Sequence, residues 1–174
     1  MSRISYDLTK IRAAVFDVDG VLSPSTIPMG PDGIPTRMAN IKDGYALQLA
    51  VRAGLKIAII TGANTPNLIT RYATLGVTDV FLKASEKLPV LQQWLDDNHL
   101  NINQVAYVGD DIPDIPCMRH CSLSVAPADA APEVKEVATY ISPVNGGYGV
   151  ARDLLEQILK AQGHWLSEAL AFGW

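Results

Sequence analysis

Ala13-Ala14-Val15-Phe16-Asp17-Val18-Asp19-Gly20 runs from four apolar residues straight into two carboxylates and a glycine. A short continuous apolar run of this kind reads as a strand buried on both faces. Strands buried in that way belong to parallel sheets, and in an open α/β sheet ligands bind at the carboxyl ends of the strands. Asp17 and Asp19 therefore stand where a site forms. An Asp/Gly cluster behind a strand also makes an ordinary turn, so the reading depends on what the other strands do.

They repeat the pattern. Asp43 opens an amphipathic helix through Leu47, Leu49, Ala50 and Val51, stopped by Gly54. Lys56–Ile60 is a second buried strand and ends in Thr61-Gly62. A helix follows with Pro66 in its first turn, Leu68, Ile69, Tyr72 and Leu75 on one face, and Gly76 as its stop. Residues 80–82 form a short strand, and residues 86–98 a helix whose Leu88, Leu91, Trp94 and Leu95 make a core-facing stripe. Val105–Val108 is the next strand, again ending in acids, Gly109-Asp110-Asp111. A short helix carries Cys117 and Met118; residues 123–125 are a strand, 132–137 a short helix, and 140–141 a last strand. Gly146-Gly147-Tyr148-Gly149 precedes a final helix bearing Val150, Leu154, Leu155, Ile158 and Leu159. Strands alternating with helices at this spacing imply an α/β fold, a central parallel sheet covered on both faces.

Residues 23–39 break the alternation. Pro24, Pro28, Gly30, Pro31, Gly33 and Pro35 exclude a helix, and Gly30-Pro31-Asp32-Gly33 is a turn signal between residues 27–29 and 34–38. The segment reads as a projecting β-hairpin, edge-like because of its prolines.

With 174 residues, 48% of them hydrophobic, the chain supports one well-buried domain, residues 1–174, and two would be cramped. A net charge of -4 without any basic block argues against a nucleic-acid surface, which needs clustered Lys and Arg. Cys117 and Cys121 lack the spacing and partners of a zinc site and read as core or interface thiols. The first dozen residues hold no apolar signal region, and no apolar run approaches the length of a membrane span. The expectation is a cytoplasmic protein with no membrane partner.

Three buried strands thus end in polar groups suited to one site: Asp17 and Asp19; Thr61; and Asp110 and Asp111, with Asp114 a turn later. Lys87 opens the helix after another strand. Singly, each has a plain reading as a turn residue, a solvated cation or an N-cap. Together they fall on one edge of a parallel sheet. Two carboxylates ~4 Å apart repel by about 4 kcal/mol at an effective dielectric near 20, so such a cluster needs a bound cation or raised pKa values. Oxygen-only ligands point to Mg²⁺. His99, His120 and His164 fall in surface-like or terminal segments, which disfavours zinc. Mg²⁺, a lysine, a hydroxyl and a carboxylate pair are the parts of phosphoryl transfer: Asp17 as nucleophile, Asp19 as general acid and base, Thr61 and Lys87 on the phosphoryl oxygens.

Asp17-Val18-Asp19-Gly20, Thr61-Gly62, Lys87 and Gly109-Asp110-Asp111-x-x-Asp114 resemble, in order, the four motifs of the haloacid dehalogenase-like phosphatase superfamily. The resemblance spans about residues 11–153. It implies a Rossmann-like three-layer sandwich and Mg²⁺ held by Asp17, the backbone carbonyl of Asp19 and Asp110, with Asp111 and Asp114 behind them. The short length, the hairpin in place of a cap domain, Lys42-Asp43-Gly44, the helix from Pro66 to Gly76 and the Gly-rich run through Arg152-Asp153 are similar to the capless 3-deoxy-D-manno-octulosonate 8-phosphate (KDO 8-phosphate) phosphatases. That likeness implies a sugar-acid phosphate as substrate, a place in lipopolysaccharide biosynthesis, and a homotetramer in which hairpin and neighbouring chain help enclose the site. It also implies substrate binding by Thr61, Gly62, Lys87, Lys42, Arg71 and Arg152. Ala63 stands where that family usually carries Arg, and its arginine cluster is reduced here to Thr70-Arg71; a nonulosonic acid 9-phosphate or another sugar phosphate is the alternative substrate. Outside this class stand a signalling receiver domain and an inactive scaffold. A receiver needs a phospho-accepting Asp on a central strand, and residues 80–82 lead instead to Lys83-Ala84; intact Asp17 and Asp19 argue against the scaffold.

Overall fold

The computed structural model describes residues 2–166; the last part of the 146–174 segment, from residue 167, lies outside the described residues. Six strands form one sheet, β1 (Ala13–Phe16), β2 (Lys56–Ile60), β3 (Asp79–Phe81), β4 (Val105–Val108), β5 (Leu123–Ala126) and β6 (Tyr140–Ile141), in the order β3-β2-β1-β4-β5-β6. Every pairing is parallel. β1 lies between β2 and β4, where the strand order reverses, and a crevice at that switch point is the general ligand position in such sheets.

Side chains alternate across the sheet and build two cores. Ala14 and Phe16 of β1 pack with α1 (Ile41–Arg52), α2 (Asn67–Ala73) and α6 (Val150–Ala161). Ala13 and Val15 face the other way, toward α3 (Lys87–Asp97), α4 (Ile115–His120) and α5 (Pro132–Val137). The result is the three-layer sandwich expected from the sequence. The stripe of α3 is buried at Leu91, Trp94 and Leu95. In α2, Leu68 and Tyr72 are buried but Ile69 is 46% exposed, so the apolar face is narrower than its periodicity suggested.

Boundaries moved where side chains cap the backbone. α1 starts at Ile41, because Asn40 accepts hydrogen bonds from the backbone N–H groups of Lys42 and Asp43. Asp43 instead reaches across to accept the backbone N–H of Arg152 at 2.6 Å and tethers the start of α6 to α1. The 23–39 segment is a hairpin only at its tip. One antiparallel bridge joins Met29 and Pro35 around the 30–33 turn, and no strand ladder forms. Pro28, Pro31 and Pro35 remove the donors a ladder needs. A 3-10 turn at Leu8–Lys10, with no counterpart in the sequence reading, leads into β1.

The Gly-rich run packs against the turn that carries the acidic pair. Gly147 donates its N–H to the Val21 carbonyl, and Gly146 donates to Asp129. A Cβ on Gly146 would lie 1.8 Å from the Gly20 carbonyl oxygen, a contact that only backbone movement relieves. Gly146→Ala is expected to lower stability by about 1–3 kcal/mol, the usual range for overpacking, read as a lower urea midpoint. An unchanged midpoint would show that the turn yields freely.

Candidate active site

Asp17 leaves β1 with its N–H still donating to Val108 of β4, so the ladder aims its side chain at the end of β4. Lys87, the first residue of α3, comes up from the other face. Its ammonium lies 3.0 Å from Asp17 and 2.8 Å from Asp114, and all three groups are nearly inaccessible to solvent. Asp114 is braced further: the Tyr107 hydroxyl donates to its Oδ1 at 2.8 Å and the Asp110 N–H to its Oδ2 at 3.1 Å. With its lone pairs engaged in this way, Asp114 supports the site from behind. Asp111 caps the following 3-10 turn by accepting the Ile112 N–H and is exposed. Thr61 is buried at the end of β2, its Oγ1 accepting the Ala63 N–H at 3.2 Å.

Carboxylate oxygens of Asp17, Asp110 and Asp114 lie within 4.8 Å of one another. Burial, reinforced by repulsion from Asp114, pushes Asp17 up to about 7 despite Lys87. Burial and the charges of Asp17, Asp114 and Asp111 push Asp110 up to about 8. Burial alone would depress Lys87, but its two carboxylate partners outweigh that and hold it above the usual lysine range. Asp110 Oδ1 is buried and has no hydrogen-bond partner. Gly20 makes the close approach possible: at φ +87° it has no Cβ, which would otherwise lie 1.9 Å from Asp110 Oδ2. An orphaned carboxylate oxygen in an all-oxygen donor set fits Mg²⁺, with Asp17 and Asp110 as the side chains that would hold it.

A cleft of about 370 Å³ is lined by Asp17, Asp19, Thr61, Lys87, Asp110 and Asp111, with Gly62 and Ser25 at its wall. Three of the cations named from sequence lie elsewhere in this chain. Lys42 is exposed in the first turn of α1 and does not line the cleft. Arg71 lines an adjoining cavity of about 470 Å³ between α2 and the 23–39 segment. Arg152 bonds Glu156 and lies over the rings of Trp165 and Tyr45, a stack that takes it out of the cleft. Two residues escaped the sequence reading. Tyr107 looked like one more apolar strand residue, although a tyrosine in the middle of a buried strand must find a partner for its hydroxyl. Arg37, in the Pro-rich segment, forks onto both oxygens of Asp19 at 2.7 Å; no fixed spacing ties it to the acids.

A family model for haloacid dehalogenase-like hydrolases matches residues 64–154. The chain belongs to the haloacid dehalogenase-like hydrolase family. Among individual proteins, it is 40% identical over 153 residues to the 3-deoxy-D-manno-octulosonate 8-phosphate phosphatase KdsC of Escherichia coli, covering 88% of this chain and 81% of that one. The phosphatase of that name from Yersinia pestis superposes with a TM-score of 0.87 at 37% identity, over 91% of this chain and 85% of the other. The Moraxella catarrhalis phosphatase, solved with a magnesium ion, a phosphate ion and a KDO molecule, gives 0.87 at 30% identity over 91% of each chain.

The raised carboxyl groups set a pH signature for the metal-free protein. An unfolded Asp releases its proton near 4, whereas folded Asp110 keeps it to about 8. Between those values the folded state binds more protons, so stability falls as pH rises. Asp110→Asn cannot ionise. At pH 8 without metal this variant should melt several degrees above the parent, and it should lack the stabilisation that Mg²⁺ gives the parent. Calorimetric melts with and without Mg²⁺ check both; a variant that melts lower than the parent at pH 8 would contradict the crowding.

Proposed function

We propose that this chain is a Mg²⁺-dependent phosphatase that hydrolyses a sugar-acid phosphate monoester, KDO 8-phosphate, through an aspartyl-phosphate on Asp17. The observation that carries the reading is the convergence of Asp17, Asp19, Thr61, Lys87 and Asp110 on one cleft, in a chain similar to KdsC over most of its length. A carboxylate oxygen of Asp17 attacks phosphorus as the bond to the sugar oxygen breaks. Asp19 gives the departing oxygen a proton, then takes one from the water that splits the acyl phosphate, releasing inorganic phosphate and restoring Asp17. Lys87 and the Thr61 hydroxyl face the phosphoryl oxygens, whose charge grows during transfer. Asp17 and Asp110 would hold Mg²⁺, which when bound would supply further neutralisation of that charge and of the crowded carboxylates.

Asp17→Asn should abolish turnover, an amide being a poor nucleophile and a poorer metal ligand. Asp19→Asn should bind substrate yet lose about 10²–10⁴-fold in rate, the usual contribution of general acid–base catalysis. EDTA should silence the enzyme and Mg²⁺ restore it. A turnover screen of KDO 8-phosphate against nonulosonic acid 9-phosphates and simple sugar phosphates tests the substrate, and matters because Ala63 and Thr70 replace arginines usual in the family. Full activity of Asp17→Asn would rule out the covalent route.

Assembly and setting complete the proposal: a cytoplasmic homotetramer serving lipopolysaccharide biosynthesis. No helix among the described residues is long and apolar enough to cross a membrane. Met29, Ile34, Met38 and Ile41 lie 52–68% exposed along the 23–39 segment and the start of α1, and a monomer rarely leaves such a patch open. Lys42, Arg71 and Arg152 would then serve the substrate only through loop movement or a neighbouring subunit. Deleting residues 27–36 should dissociate the assembly in sedimentation velocity and raise KM sharply. A deletion variant that sediments unchanged and keeps its KM would mean that each chain completes its site alone.

A further inference from the structure

The acid pair is divided between two cations. Asp17 goes to Lys87, while Asp19 turns to Arg37. Arg37 Nε and Nη2 donate to the two Asp19 oxygens, each at 2.7 Å, and Nη1 donates to Thr65 Oγ1 at 2.8 Å. The Arg37 side chain is 10% exposed and lines the adjoining cavity, not the cleft, so it grips Asp19 from behind. Among the described residues no other side chain holds the Asp19 carboxylate. The anchors on either side are firm: Met38 donates its N–H to Ser23 Oγ, next to the acidic turn, and Thr65 follows the strand end that carries Thr61.

A guanidinium fork on both oxygens fixes the plane of a carboxylate and leaves each oxygen an outward lone pair. Fixing that plane matters for proton transfer, where a misplacement of about 1 Å costs about 10²-fold. We propose that Arg37 is the positioning residue for Asp19: through its fork and its bond to Thr65, it aims that carboxyl group at the oxygen that leaves phosphorus. Arg37 does not line the cleft and bonds neither Asp17 nor Asp110, the side chains that would hold the metal. Its effect passes through Asp19 alone, and so depends on whether the leaving group needs a proton.

The proposal rests on the phosphatase reading, and two esters separate them. KDO 8-phosphate releases an alkoxide that must be protonated; p-nitrophenyl phosphate releases a phenolate that need not be. Arg37→Met keeps the stem and removes the fork. It should lower kcat/KM about 10- to 100-fold on KDO 8-phosphate and less than about threefold on p-nitrophenyl phosphate. Arg37→Lys, which restores the charge and one donor, should recover part of the loss. Stabilisation by Mg²⁺ in thermal melts should be the same in both variants as in the parent. Should Arg37→Met fail to fold, the ratio of the two esters in Arg37→Lys decides in its place. Equal losses on the two esters, no loss, or a gain on the sugar ester would overturn the assignment. A parent chain that turns over neither ester with Mg²⁺ would fail the phosphatase reading and take this assignment with it.

Discussion

Lys87 holds two buried carboxylates, and most of the site takes its shape from that one ammonium. Asp17 follows β1 and Asp114 the neighbouring β4, and the two would repel each other in a water-poor environment without it. The cost of desolvating three charged groups is offset only where geometry and further hydrogen bonds are good, and here the Tyr107 hydroxyl and the Asp110 N–H complete Asp114. What Lys87 does not reach is Asp110. That carboxylate keeps a buried oxygen without a partner, and a bound divalent cation would satisfy it and relieve the crowding at once. The protein thus carries its own cation for the brace and leaves one charge deficit for the metal.

The second acid is handled differently. Asp19, two residues along, is turned out of the cluster toward Arg37, on a segment with almost no regular structure. Asp17 and Asp19 therefore sit on one turn but report to different parts of the molecule, one to the sheet and α3, the other to the Pro-rich segment. The Gly-rich run presses on the back of the same turn. A short stretch of chain is consequently fixed from three sides.

The sheet was legible because its strands are short apolar runs with polar exits: β4, α5 and β6 fall at the bounds their sequence implies. Caps were less so. Asn40 before Ile41 carries no apolar periodicity, and Asp43, which looked like the start of a helix, serves the beginning of another. Site residues at strand exits could be placed from sequence because the exit itself is the signal. Arg37, Tyr107 and the stacking of Arg152 depend on contacts between distant segments, which spacing does not encode. Lys42 and Arg152, named through likeness to a family, sit in this chain outside the cleft.

The position of β1 at the centre of the sheet has a kinetic consequence. Its register joins Ala13 to Lys56 on one side and to Val105 on the other. A chain emerging from the ribosome can zip β1 to β2 early but must wait for the second half before β4 arrives. Pairings of such separation slow folding, and an unpaired inner strand edge is a route to aggregation meanwhile. Asp110 and Asp114 follow β4, so the half-made chain lacks two of the three carboxylates that cluster in the folded protein. A divalent cation held among them would stabilise the finished molecule and not its precursor, whose β1 edge stays open to misassembly until β4 arrives.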